Sequence, residues 1–311
     1  MANNKEKIIV MFSGGLDSRL VVKILQEKGF EVIALFFKFP FGTGCCDENC
    51  SFNFSQLSGI KLNVIDCTKG QFLNEYIEVI KHPKYNRGAS MNPCIDCRIF
   101  MFKKAREFAD LNGIKLIATG EVEGERPLSQ TQKAMALIEE ESGLKGRILR
   151  PLIELGIKGR CRKKQMEMAE KYKISYPTPA GGCLLCEKNI KNRIKEIIKR
   201  KINEQQIELI GIGRHFLIDD CWIVLGRNEK ENKIIENIKE YDVIMSSFPG
   251  PSAIVFGGCN KDLKQKVYKE NGKFSSKLFA KGIKQKVYEL IMAYSTGRNL
   301  EKRKEFEGYK L

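Results

Sequence analysis

Two sets of residues in this chain have the types and spacing to do chemistry. The first is Ser13-Gly14-Gly15-Leu16-Asp17-Ser18, set between an apolar run, Ile8–Phe12, and a helical pattern of Leu20, Val21, Ile24 and Leu25. A strand, a glycine turn and a helix start in that order form an anion site. Paired glycines let the backbone approach a ligand and adopt angles a Cβ would forbid. The helix start adds unpaired N–H groups and the positive end of a dipole. Ser13 and Ser18 supply hydroxyl donors, and Asp17 can hold Mg²⁺ or order the turn. The Gly-Lys-Ser/Thr ending of the common phosphate loop is absent.

The second set is made of cysteines, of which there are 11, against two histidines, His82 and His215. Asn92-Pro93-Cys94-Ile95-Asp96-Cys97-Arg98 places a CxxC at a helix start, where the dipole is expected to lower thiolate pKa values and suit ligation or sulfur transfer. Pro177-Thr178-Pro179-Ala180-Gly181-Gly182-Cys183-Leu184-Leu185-Cys186 adds a second CxxC on an irregular turn. Four such thiols could bind tetrahedral zinc or a [4Fe–4S] cluster. A further group, Cys45, Cys46 and Cys50, has the spacing C-C-x3-C, which is no standard metal arrangement. Cys67 reads as core, and Cys161, Cys221 and Cys259 have no partner at ligand spacing.

The elements that must position these residues follow from hydrophobic periodicity. Glu31–Phe37, Lys61–Asp66 and Ile114–Thr119 are candidate strands, and helical patterns cover about 71–81 and 98–112. Strands alternating with helices predict an α/β fold: a doubly wound parallel sheet, joined to a second, smaller α+β domain. Ligands of such sheets sit at the carboxyl ends of strands, where Ser13–Ser18 falls.

Composition narrows the class. With 42% hydrophobic residues the chain is globular, and its 311 residues allow two domains. No apolar run approaches the ~20 residues of a membrane span, and the N-terminus lacks a signal-peptide core, so the expected location is cytoplasmic. Net charge is +16, which suits a polyanionic partner. Residues 188–311 hold 26 basic and 16 acidic residues, whereas 1–187 hold 28 and 22. The excess concentrates in the smaller part, which predicts a catalytic domain over 1–187 and a basic, RNA-binding domain over 188–311.

Within that second part, residues 190–203 read as an amphipathic basic helix. Cys221–Leu225 and Ser252–Phe256 read as strands, with Gly226–Asn232 opening a helix between them. The segment Lys264–Tyr268 recurs at Lys284–Tyr288 without making a repeat architecture. Lys302-Arg303-Lys304 is expected in a frayed basic tail. The run Lys158–Lys164 opens a helix and offers contacts to the phosphates of a polyanion, or a merely solvated face.

The Ser13–Ser18 stretch resembles the SGGxDS signature of PP-loop ATP pyrophosphatases. MNPCIDCR, ATGE at 118–121, RPLSQ at 126–130 and PTPAGGC together resemble the PP-loop tRNA thiolation family, best known from the tRNA-specific 2-thiouridylases. The resemblance implies an ATP-dependent tRNA sulfurtransferase that adenylates a uridine carbonyl oxygen with ATP and Mg²⁺ and then inserts sulfur. It implies nucleotide contacts from Ser13, Gly14, Gly15, Asp17, Ser18, Gly120, Ser129 and Gln130. It further implies a [4Fe–4S] cluster on Cys94, Cys97 and Cys183, with Cys186 as an additional thiol, or a persulfide on Cys94 or Cys183; structural zinc is the weaker alternative. The implied partners are tRNA and a sulfur donor, either sulfide or a cysteine desulfurase or sulfur carrier. A homodimer, 2-thio or 4-thio chemistry, and the tRNA species are left open. Thr119-Gly120-Glu121 stands where 2-thiouridylases usually have Thr-Gly-His, the C-terminal part does not read as their small β-barrel, and no N-terminal RNA-binding domain of the 4-thiouridine synthase type is expected. GRNEKEN at 226–232 and Phe248–Ser252 resemble the RNA-binding module of the NFACT family.

Overall fold

The computed structural model describes residues 5–42, 47–85, 90–178, 182–200, 202–238, 241–245, 249–257, 269–270, 273–274, 281–295 and 300–311. Cys45, Cys46, Cys259 and the first copy of the KQKVY segment lie outside the described residues. The chain divides into two compact units, Met1–Lys188 and Asn189–Leu311.

The first unit runs β1 (Lys7–Phe12), α1 (Leu16–Glu27), β2 (Glu31–Lys38), α2 (Glu48–Ser58), β3 (Lys61–Asp66), α3 (Gly70–Lys81), α4 (Cys94–Leu111), β4 (Leu116–Thr119), α5 (Gln132–Ser142), β5 (Ile148–Leu149), α6 (Pro151–Glu154) and α7 (Lys163–Lys171). All five strands pair in parallel, in the order β3-β2-β1-β4-β5. The near-continuous apolar runs are explained by burial on both faces: Ile8, Ile9 and Val10 of the central strand are wholly inaccessible. Each such side chain contributes roughly 1.5–3 kcal/mol by leaving water. Strand order reverses at β1, so the chain leaves β1 toward β2 on one side and reaches β4 on the other. A crevice therefore opens beyond the carboxyl ends of β1 and β4, the site such sheets offer to ligands.

The second unit runs α8 (Lys191–Ile198), α9 (Glu204–Glu208), β6 (Arg214–Ile218), β7 (Cys221–Leu225), α10 (Glu229–Glu236), β8 (Asp242–Ile244), β9 (Ala253–Phe256), the short pair β10 (Lys269–Glu270) and β11 (Lys273–Phe274), α11 (Lys281–Tyr294) and α12 (Leu300–Glu307). Its antiparallel sheet has the order β6-β7-β9-β8, and β6, β7, β9, α11 and Phe306 of α12 share a core. Two expectations are corrected here. The helix expected over 190–203 ends at Ile198, because Asn203 makes a reciprocal capping box with Gln206 and starts a new helix. The Lys302–Lys304 stretch is no frayed tail. It lies in α12, buries Phe306, and ties its end to β6 through Leu217 N–H to the Tyr309 carbonyl (2.8 Å) and Leu311 N–H to the His215 carbonyl (2.9 Å).

Candidate active site

The glycine turn is built as the sequence suggests. Gly14 has φ 73°, a left-handed conformation that favours glycine, and Gly15 precedes α1 in extended conformation. No side chain caps α1 at Gly15, so its first N–H groups face the crevice as an anion site. Ser18 Oγ donates to the Gly15 carbonyl (3.0 Å) and Ser13 Oγ to Ser18 Oγ (3.3 Å), which closes the turn on itself. Arg19 braces the turn from beneath. Its Nε donates to the Gly14 carbonyl at 2.7 Å, Nη1 to the Ser175 carbonyl at 2.7 Å and Nη2 to Cys50 Sγ at 3.1 Å, with the guanidinium over Phe54. Cys50 is thereby assigned to the brace, and the reading of Cys45, Cys46 and Cys50 as one group rests on residues that are not described.

Gly120 meets this turn from β4. A Cβ there would lie 2.9 Å from Ser18 N and 3.2 Å from Asp17 Cβ, a separation that only a hydrogen in that place permits. Asp17 itself is paired with Arg162, Nη2 to Oδ2 at 3.4 Å, and the buried amide of Gln165 faces the same carboxylate. Burial raises the Asp17 pKa in spite of Arg162. Its Oδ1 is buried with no hydrogen-bond partner, an orphaned acceptor that suits a Mg²⁺ ion accompanying a nucleotide. Arg162 belongs to the basic run read as meeting phosphate or solvent; the structure places it on the turn. Gln130 donates its backbone N–H to the Arg126 carbonyl and accepts the Arg126 N–H on its side-chain Oε1 (3.1 Å), so it shapes the 124–130 loop beside the turn. Ser129 is buried in the same loop.

The thiols are assembled from three segments. Cys94 and Cys97 occupy the first turn of α4. Cys183–Cys186 is stitched between two other stretches: Gly42 bridges Cys183, Leu184 N–H reaches the Phe41 carbonyl (3.0 Å), and Asn92 N–H reaches the Leu185 carbonyl (3.0 Å). Ser90 Oγ adds bonds to the Leu185 and Glu187 carbonyls. As a result Cys94 Sγ and Cys186 Sγ lie 3.7 Å apart, Cys183 hydrogen-bonds Cys186, and the Tyr76 hydroxyl lies 3.5 Å from Cys97 Sγ over an aromatic floor of Phe39, Phe41 and Phe100. Asp96, the second variable residue of the CxxC, is structural: its carboxylate accepts from the backbone N–H groups of Lys84 and Tyr85.

The electrostatics correct one expectation. The dipole at the start of α4 does not lower the CxxC thiols. Burial pushes Cys97 up to about 12, and Cys94 and Cys183 are raised by hydrogen bonding to Cys186 together with burial. Cys186, receiving both of those bonds and facing Arg126, falls to about 3. The negative charge of the cluster thus settles on its most exposed sulfur, because that thiolate alone collects two S–H donors.

Arg126 links the two halves. Its charge opposes the rise of Cys94, adds to the fall of Cys186 and opposes the rise of Glu125, which burial and Asp17 cause. Arg126 therefore acts on groups beside the thiols and beside the Ser13–Ser18 turn. A second link is buried. Glu121, 1% exposed, accepts from Arg98 (2.5 Å), Arg150 (2.8 Å) and the Thr119 hydroxyl (3.1 Å), and Arg150 also pairs with Glu139. Burial alone would raise the Glu121 carboxyl; the two guanidiniums more than offset this and hold it below the usual range. Arg98 follows Cys97, and Glu121 follows Gly120, so this pair pins the cysteine helix to the floor of the turn. Sequence reading singled out Glu121 only as a departure from Thr-Gly-His, took Arg162 only as part of a basic run, gave Arg98 no role within its motif, and missed Arg150 and Tyr76. The available signal was charge placed directly beside motif glycine and cysteine.

Among the described residues, no group of three or more His, Cys, Asp or Glu side chains is spaced to hold a metal ion. The all-sulfur donor set has the chemistry for zinc or an iron–sulfur cluster, whereas its spacing is that of thiols in direct contact.

A parallel 3-2-1-4-5 sheet with an SGGxDS turn after its first strand is the α/β fold of the PP-loop class. Residues 6–139 match the family model of the tRNA methyl transferase HUP domain. The resemblance to PP-loop tRNA thiolation enzymes accordingly holds. A tRNA-specific 2-thiouridylase MnmA of Nitratiruptor sp. is 35% identical over 122 residues, 37% of this chain and 34% of that protein. The protein of the same name from Pseudomonas paraeruginosa is 26% identical over 275 residues, 74% of this chain and 71% of that protein. The chain thus spans about a third of the length of the first of these relatives. Among solved structures, a 4-thiouridine synthetase–RNA complex with bound ATP aligns with a TM-score of 0.40 at 20% identity, over 66% of this chain and 51% of that one. No helix among the described residues is long and apolar enough to cross a membrane.

Proposed function

We propose that this chain is an ATP-dependent tRNA uridine sulfurtransferase. One observation supports it above the others: Gly120–Glu121 packs against an SGGxDS turn with an orphaned Asp17 oxygen and, through Arg98, ties it to the helix whose Cys94 meets Cys186. Adenylation and sulfur transfer need those two functions side by side. A uridine carbonyl oxygen is a poor leaving group. In this reading it attacks the α-phosphorus of ATP, and pyrophosphate leaves into the Ser13–Ser18 turn, against the α1 N–H groups. Asp17 would hold the Mg²⁺ that neutralises the leaving charge, and Arg162 is placed to exchange the Asp17 carboxylate for phosphate oxygens. The target base is presented out of its stack, and the basic second unit holds the tRNA through phosphates.

The contact between Cys94 and Cys186 favours thiol chemistry for the second half. A persulfide on one cysteine attacks the activated carbon, and AMP leaves with the former carbonyl oxygen. A neighbouring thiolate then attacks the protein-bound sulfur of the persulfide. The S–S bond breaks, sulfur stays on the base, and a disulfide forms that an external thiol reductant returns to two cysteines. A sulfur donor such as a cysteine desulfurase or carrier reloads the site.

The all-cysteine donor set favours a second reading, a [4Fe–4S] cluster on Cys94, Cys97 and Cys183 with Cys186 beside it. When bound, such a cluster would supply an iron with an open position for sulfide. Iron analysis and absorbance after anaerobic purification separate the two. Active, iron-free protein removes the cluster, active protein that loses thiolation with its iron removes the persulfide, and zinc in place of iron removes both. For the function itself, Asp17→Ala is expected to lower tRNA-dependent pyrophosphate release by on the order of 10²–10³-fold. Cys186→Ala is expected to stop formation of thiouridine, read by nucleoside mass spectrometry, while pyrophosphate release continues. Wild-type protein that releases no pyrophosphate with tRNA and ATP would refute the assignment.

A further inference from the structure

Four arginines of the second unit gather from four separate segments: Arg193 of α8, Arg214 at the start of β6, Arg227 between β7 and α10, and Arg303 of α12. Arg214 and Arg303 each place a guanidinium against the ring of Tyr294, 5.0 and 4.9 Å from its centroid. Backbone carbonyls hold three of them in place: Ile210 takes Arg193 (3.2 Å), Gly226 takes Arg214 (3.3 Å) and Ala293 takes Arg303 (2.8 Å). Glu231 is the carboxylate that faces the group, and it is committed to Arg227, accepting from its backbone N–H, Nε and Nη2. One carboxylate among four guanidiniums leaves the cluster strongly positive.

The arginines also oppose one another. Arg193 and Arg214 are lowered first by burial and then by Arg227, with Arg303 adding to the effect on Arg214, and the Arg193 Nε is buried with no partner. Gathering like charges in a partly desolvated place costs free energy that an anion would offset. Guanidinium forks match phosphate oxygens in pairs, and a group of them spread over several segments matches a chain of phosphates rather than a single ion.

We propose that the Arg193–Arg214–Arg227–Arg303 cluster is a binding site for successive phosphodiester groups of RNA. This rests on the reading that the substrate is an RNA. It assigns the anchoring of the RNA body to four named side chains rather than to diffuse basic charge.

The test uses the full chain and fluorescence anisotropy with labelled tRNA and a labelled single-stranded oligoribonucleotide, each titrated across a range of KCl concentrations. Inorganic phosphate and heparin serve as competitors. The double variant Arg214→Gln/Arg303→Gln is expected to bind RNA at least tenfold more weakly, and the salt slope should fall by about one for each phosphate no longer neutralised. Arg214→Lys/Arg303→Lys should recover most of the slope and less of the affinity, since the charge returns without the fork. Arg193→Gln, which leaves the Tyr294 stack intact, should reduce the slope on its own and keeps the test open if the double Gln variant unfolds. Unchanged affinity and slope in Arg193→Gln and the Lys pair overturn the site. So does competition by inorganic phosphate as effective as that by heparin, which would mark a single-ion site. RNA binding through these arginines without tRNA thiolation would leave the cluster standing and sink the proposed reaction; thiolation with unaltered slopes would do the reverse.

Discussion

The Ser13–Ser18 turn and the thiol cluster are tied together through Arg98, Glu121 and Gly120 but are made in opposite ways. The turn is a local object. One strand, two glycines and one helix start, all within Lys7–Glu27, supply its donors, and Gly14 and the uncapped start of α1 give it shape. The cluster has no local existence. Cys94 and Cys186 touch because residues 183–187 are sewn to Phe41–Gly42 on one side and to Ser90–Asn92 on the other. The difference implies that sulfur chemistry fails whenever those seams shift, whereas the turn answers to distant residues only where Gly120, Arg162 and Ser175 meet it. Glu121 and Gly120 are the residues through which the two communicate.

Cutting that link should have the largest effect. Glu121→Gln leaves the half-buried Arg98 and Arg150 without their carboxylate, at a cost on the order of 3 kcal/mol in chemical denaturation. It should also remove an acid-sensitive component of stability. The folded Glu121 pKa is depressed, so the pair stabilises the fold above the unfolded carboxyl value of about 4.3 and loses that contribution as pH falls through the folded value. A wild-type stability curve as flat as that of the variant below pH 5 would show that the pair is not coupled to folding.

Gly120→Ala asks instead whether the turn depends on close approach. The added Cβ meets backbone atoms of Asp17 and Ser18, which should cost about 1–3 kcal/mol and weaken ATP binding, read by calorimetry, while leaving the reactivity of the four thiols toward an alkylating reagent near normal. Equal damage to both would erase the contrast between them. Tyr76→Phe is the mildest probe. It keeps the aromatic floor and deletes the hydroxyl whose hydrogen bond favours the Cys97 thiolate, with an expected loss of about 1 kcal/mol and slower alkylation of Cys97, followed by mass spectrometry of the modified peptide. Unchanged Cys97 reactivity would make Tyr76 a packing residue alone.

Much of the fold was legible because its signals are short-range. The apolar runs at 8–12, 31–37 and 61–66 became neighbouring parallel strands, and Asn228 caps α10 within the stretch expected to open a helix. The site was legible where a motif was contiguous: Ser13–Ser18, the CxxC on α4, and the glycine of ATGE. It was less so where role depends on what packs alongside. Arg162, read only as part of a run that either meets phosphate or is solvated, pairs with Asp17, and of the Cys94–Cys97 thiols, expected to be acidified by the helix start, Cys94 is raised by its bond to Cys186 and Cys97 by burial, while Cys186 is lowered.

By itself, then, the order of amino acids determined the strand–turn–helix that can receive pyrophosphate, the α/β class, and the presence of two CxxC pairs, since each follows from dihedral preferences and periodicities within a few residues. Only the tertiary structure decided that Cys94 meets Cys186, that Glu121 ties the cysteine helix to the turn, and that Arg214 and Arg303 from distant segments meet on Tyr294. Charge and proton affinity inside a protein depend on burial and on partners tens to hundreds of residues away, and neither is written in any local window.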